Sequence, residues 1–189
     1  MPGEPKMRSK ESVIKFKKFY NLEKYLLDEV RTNFNQRHYL EVDEFFCIVI
    51  WKANRSKSKV KKRLQRIHPN INSAVKEITS TLYRRDNPRD KLQYLISQCG
   101  FRLPTASAIL TILYPENFTV YDVRVCDMLD GFRNLINRTN FDRLWAEYQE
   151  FKKQVILAVP EEANLREKDR ALWGKSFHDD LTKFLSAAG

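Results

Sequence analysis

Apolar residues recur along this chain at intervals of three and four, the spacing that lines one face of an α-helix. Leu92, Leu95, Ile96 and Cys99 form one such set, and Phe141, Leu144, Trp145, Tyr148 and Val155 another. Near the C-terminus Trp173, Phe177, Leu181 and Phe184 repeat the pattern. The longest unbroken apolar run, Phe45 to Trp51, is apolar on every side and partly β-branched. Alone it reads as a buried strand; between helical stretches it predicts a central buried helix. Pro69, Pro88, Pro104, Pro115 and Pro160 fall between the periodic stretches, where proline starts or ends a helix. Gly100, Gly131 and Gly174 are the internal glycines, too few for the hairpins of an all-β fold. The pattern predicts an all-α bundle of short helices. Residues 1–9, with Pro2, Gly3 and Pro5, are expected to be a mobile tail, and 10–189 a single helical domain or two small lobes.

Composition narrows the class. A length of 189 residues suits one domain, and 42% hydrophobic residues suffice for a core. Lysine and arginine number 34 against 24 acidic residues, so the net charge is 34 − 24 = +10. A surplus of that size points toward a polyanion, most often nucleic acid. The apolar run is far shorter than the roughly 20 residues that cross a bilayer, and no apolar signal-type segment opens the chain. No membrane partner is expected. Cys47, Cys99 and Cys126 are too few and too scattered for a disulfide framework or a zinc site. His38, His68 and His178 show no ligand spacing. The expectation is an intracellular monomer, cytoplasmic and nucleoid-associated or nuclear.

The positive charge is concentrated. Lys52, Arg55, Lys57, Lys59, Lys61, Lys62, Arg63 and Arg66 follow one another without an acidic residue between them. Such a strip reads either as a solvated face or as a phosphate-binding surface; a run of one sign, unlaced by carboxylates, favours the phosphates.

Leu95 to Leu110 reads as two helices joined by a tight turn. Gly100 supplies a left-handed stop, Pro104 can open the second helix, and Ala106, Ser107 and Ala108 let it approach a neighbour closely. A helix start at such a turn offers backbone N–H groups to an anion; an ordinary helical hairpin is the plainer reading. Twelve residues beyond Leu110 comes Tyr121-Asp122-Val123-Arg124-Val125.

Together these segments resemble the helix-hairpin-helix DNA glycosylase superfamily. Its members carry a Leu-Pro-Gly-Val-Gly hairpin, a helix rich in small residues, and a Val-Asp-x-His-Val segment with an essential aspartate. Counting back from Asp122 sets Gly100 on the first hairpin glycine without a gap. Upstream, Ile50 to Val60 resembles a Leu-Ser-x-Gln-x-Thr segment, with Asn54 where a base-gap-filling glutamine stands. The resemblance spans Asp43 to Leu129. It implies a protein that bends duplex DNA, extrudes a nucleotide and cuts its N-glycosidic bond, with Asp122 offsetting positive charge on the sugar and positioning water. It implies DNA contacts from Asn54, Arg55, Lys57, Lys59, Lys61, Lys62, Gly100, Arg102, Thr105 and Arg124. It also implies a structural Na+ or K+ held by the carbonyls of Ile96, Gln98 and Phe101, with no other cofactor.

Three departures shape that expectation. Pro104 stands where strand-cleaving relatives carry a lysine nucleophile, which implies a monofunctional enzyme. Arg102 replaces the second hairpin glycine and can meet a phosphate with its guanidinium. Arg124 replaces the histidine after the aspartate and offers Asp122 a cationic partner, whether to keep it ionised or to tie it up. A non-catalytic helix-hairpin-helix DNA-binding module is the alternative. Residue by residue, Asp122 reads as catalytic carboxylate or N-cap, and Asn54 as gap filler or helix end. Trp173 reads as core or as a base-stacking face, Gly174 as a bend or a close contact, and Lys175 as a displaced amine beside that pocket.

Overall fold

The computed structural model describes residues 16–160 and 163–187. With 79% of the described residues helical and no strand among them, the fold is all-α. The tail expected at residues 1–9 lies outside the described residues.

A short N-terminal helix, α1 (Leu22–Tyr25), runs through a π-turn over Leu26–Val30 into α2 (Arg31–Arg37). The long helices follow as α3 (Val42–Ala53), α4 (Lys57–Ile67) and α5 (Ile71–Tyr83). Next come α6 (Pro88–Gln93), which ends in a π-turn over Tyr94–Gln98, and α7 (Leu103–Leu113). Then come α8 (Val123–Met128), α9 (Phe141–Leu157) and α10 (Leu165–Ala187).

The expected central helix is α3. Glu41 caps it, accepting from the third residue's backbone while Glu44 reaches back to the Glu41 N–H, and Phe45, Ile48 and Val49 are buried. Its partner is α7, buried at Leu103 and throughout Ala106 to Leu113. The small side chains at Ala106, Ser107 and Ala108 allow this close packing, as the pattern predicts. Around the pair, α4 and α5 pack on α3, α6 on α7, and α10 on α8 and α9.

The last helix departs from expectation. Trp173 is not core: with Phe177, Leu181 and Phe184, the rest of its periodic set, it is exposed. The buried face of α10 is instead Lys168, Asp169, Leu172 and Ser176. Gly174 makes no close contact, since a Cβ added there meets nothing within 4 Å.

Candidate functional site

The turn before α7 forms as the sequence predicts. Gly100 takes φ +68°, where a side chain is strained, and the N–H groups of Cys99 and Phe101 close on the carbonyls of Tyr94 (3.0 Å) and Leu95 (2.9 Å). The carbonyls of Ile96, Gln98 and Phe101, which the resemblance assigns to a monovalent cation, take no part in those two bonds. Part of the main-chain donor set at this turn is spent within α7. Pro104 has no N–H, and the N–H groups of Thr105 and Ala106 both donate to the Arg102 carbonyl, at 3.0 Å each. What the turn presents to a phosphate is the exposed Arg102 side chain.

The basic strip lies on α4. Val60 and Leu64 face the core, while Arg55, Lys57, Lys59, Lys61 and Lys62 face solvent. Lys57 Nζ donates to Asn54 Oδ1 at 2.8 Å in the short 3-10 turn that joins α3 to α4. Asn54 is exposed at this junction and lies off the wall of the Asp122 cavity. Burial, then the charges of Arg102 and Arg66, push the Arg63 guanidinium below its usual pKa, so the hairpin arginine bears on the strip.

Asp122 is placed by the loop that precedes it. Tyr148, fully buried, donates to the Thr119 carbonyl (2.7 Å) and accepts from its N–H (3.1 Å). The Val120 N–H donates to Asp169 Oδ2 (3.3 Å) and the Tyr121 N–H to Ser107 Oγ (2.9 Å). Three consecutive residues are thus fixed by α9, α10 and α7. Asp122 then caps α8, its Oδ1 accepting the Arg124 N–H at 2.9 Å. N-capping and exposure to a cleft coexist here.

Two expectations for its neighbours are corrected. The cationic partner of Asp122 is not Arg124, whose guanidinium pairs with Asp180 (2.7 Å) and lies over the rings of Trp173 and Phe177. It is Lys52, from the last turn of α3, whose ammonium donates to Asp122 Oδ2. Lys175 does not join the site either; it is exposed, pairs with Asp179 at 2.7 Å and lies off the cavity wall.

Asp122 opens on a cavity of about 380 Å3 lined by Glu23, Trp51, Lys52, Val120, Arg166, Asp169, Arg170 and Trp173. Trp173 is on its wall, as the base-stacking reading requires, and Trp51 joins it. The Arg166 guanidinium lies 5.0 Å from the Trp51 ring centre, paired with Glu23 (2.6 Å) and with Asp169. Burial pushes the Asp169 carboxyl up, against the opposing pull of Arg166, the Val120 N–H and Lys52. Three carboxylates and three cations line this space, so it is polar, nearly neutral and aromatic-walled. That suits an uncharged planar heterocycle rather than a phosphate. A larger cavity, about 870 Å3, abuts the end of α8, but the arginines on its wall are paired, Arg133 with Asp127 and Arg138 with Glu147.

Sequence reasoning missed Lys52, Arg166 and Asp169 as site residues. A signal was present for two of them: Lys52 stands three and four residues after buried Val49 and Ile48, and Asp169 three before buried Leu172. No metal-ligating cluster of His, Cys, Asp or Glu occurs among the described residues, and no described helix is long and apolar enough to cross a membrane. Compared with protein-family models, curated proteins and solved structures, the chain matches none.

Proposed function

We propose that this protein is a helix-hairpin-helix DNA glycosylase that acts on double-stranded DNA. The observation that carries the reading is Asp122, a carboxylate on the wall of a cavity that two tryptophans also line. The α4 strip and Arg102 neutralise phosphates, and binding weakens as salt replaces the released counterions. An extruded base enters between Trp51 and Trp173, where stacking and the polar wall hold it. As the N-glycosidic bond lengthens, positive charge grows on the sugar, and the Asp122 carboxylate offsets it and orients the attacking water. The carbonyls of Ile96, Gln98 and Phe101 would hold a monovalent cation against a backbone phosphate, tying the hairpin to the strand.

The test is a panel of duplexes, each with one damaged or mismatched base. Base release followed by alkali cleavage, lost in Asp122→Asn, supports the enzyme. A second reading, the non-catalytic DNA-binding module, is favoured by the full engagement of Asp122, whose two oxygens serve the Arg124 N–H and Lys52. Salt-dependent binding with no base release from any duplex of the panel selects that module.

A further inference from the structure

We propose that the groove between α3, α4 and α5 docks an acidic amphipathic helix of a protein partner. The groove shares no lining residue with the Asp122 cavity, so the proposal stands whether or not that cavity receives a nucleotide.

The groove encloses about 460 Å3. Val42 and Phe46, one turn apart on α3, form its apolar floor with Ile71 at the start of α5. Each of the three packs against the core yet stays partly open to solvent. The rim is cationic. Lys57 and Lys61 stand one turn apart on α4, and exposed Ser58 and Asn72 complete the edge. Among the described residues neither lysine meets a carboxylate: Lys57 donates to the Asn54 side chain, and Lys61 has no partner. Every charge lining the groove is therefore positive. Helix dipoles add to it, since Lys57 and Ser58 open α4 while Ile71 and Asn72 open α5. Ser56 turns its hydroxyl to the Ala53 carbonyl (2.7 Å) and leaves α4 without a side-chain cap.

Charge and apolarity together name the occupant. Phosphates would satisfy the lysines, but DNA interfaces are polar and offer no side chain to cover Val42, Phe46 and Ile71. An apolar centre ringed by polar groups is the anatomy of a protein interface. Its apolar row on α3 and its cationic row on α4 each repeat after one helical turn. That spacing fits a partner helix with bulky apolar residues at i and i+4 and carboxylates beside them. The anchors fill the floor, and the carboxylates meet Lys57 and Lys61. The DNA reading gives the same two lysines to phosphates, so an occupied groove and a bound duplex exclude one another.

The experiment titrates the full-length protein into a fluorescein-labelled peptide, Asp-Glu-Asp-Leu-Ala-Glu-Glu-Phe-Leu-Asp-Glu, and into a copy with serine at its Leu and Phe positions. Anisotropy is expected to show the first binding tighter by about tenfold. Ile71→Asp puts a carboxylate in the floor, at a helix start that tolerates one, and is expected to weaken the first peptide to the level of the second. With benzoylphenylalanine in place of the peptide's Phe, wild-type protein is expected to photo-crosslink at Val42, Phe46 or Ile71. Equal binding of the two peptides, adducts elsewhere, or no binding overturns the proposal. The adducts come from wild-type protein, so they decide the matter even if the variant fails to fold. Dodecanoate that fills the groove where the peptide does not overturns it in favour of a fatty anion. Unlabelled duplex is expected to displace the peptide; if no duplex binds at all, the DNA reading falls while the adducts still decide this one.

Discussion

Lys52 and Asp122 come from segments 70 residues apart, and their charged ends meet on the wall of a cavity, with side chains 11% and 21% exposed. A pair so placed sits between a surface ion pair and a buried one. Removing one partner leaves the other half-desolvated, which costs more than removing both. Lys52→Ala and Asp122→Asn are each expected to lower unfolding free energy by about 1–3 kcal/mol, and the double variant to lose less than their sum. Urea melts of the four proteins give the coupling. Strict additivity would show that the two charges do not interact in solution.

The phosphate surface has its own signature. Charge reversal at Lys57, Lys61 and Lys62 is expected to weaken duplex binding and flatten its dependence on salt, by about one unit of log–log slope per lost contact. Arg102→Ala is expected to act in the same direction, because Arg102 and the strip bear on the same residue, Arg63. Fluorescence anisotropy across a salt series reads both. An unchanged slope in the triple variant would place the DNA interface elsewhere.

Much of this architecture was legible from side-chain spacing. The apolar run Phe45 to Trp51 could be placed as a central helix because every face of it needed cover, and the hairpin at Gly100 because a left-handed turn needs glycine. The partner of Asp122 was not legible. Arg124 is its neighbour in sequence, but its guanidinium goes to Asp180 and the rings of Trp173 and Phe177, while Lys52 arrives from a run that otherwise faces solvent. Periodicity also gives a helix its faces without saying which face is covered. Trp173 therefore read as core as readily as cavity wall, although the fold buries Asp169 and Leu172 and exposes the stripe from Trp173 to Phe184.

Two glycines that look alike in sequence are expected to respond oppositely to alanine. Gly174 sits inside α10 with open space around its Cα, so Gly174→Ala is expected to stabilise by about 1 kcal/mol through helix propensity. Gly100 also has room for a Cβ, but its φ of +68° makes Gly100→Ala cost about 1–2 kcal/mol. Thermal melts of the two variants should move in opposite directions, and a destabilised Gly174→Ala would mean that α10 packs more closely there.

Buried thiols set a further pH response. Burial pushes Cys99 and Cys126 from the ordinary 9.0 up to about 11 each. A raised pKa means that the folded chain holds these protons longer than the unfolded one. Stability from this source is therefore complete below pH 9 and drains away as pH rises toward 11. By pH 10 the loss is on the order of 1 kcal/mol per thiol. Urea melts at pH 8 and pH 10 measure it, and Cys99→Ala with Cys126→Ala should shrink the difference between them. The same burial predicts that half-buried Cys47 reacts with a disulfide reagent in the native protein, whereas Cys99 and Cys126 react only on unfolding. Fast native labelling of either would mean that α8 or the hairpin opens more readily than its packing allows.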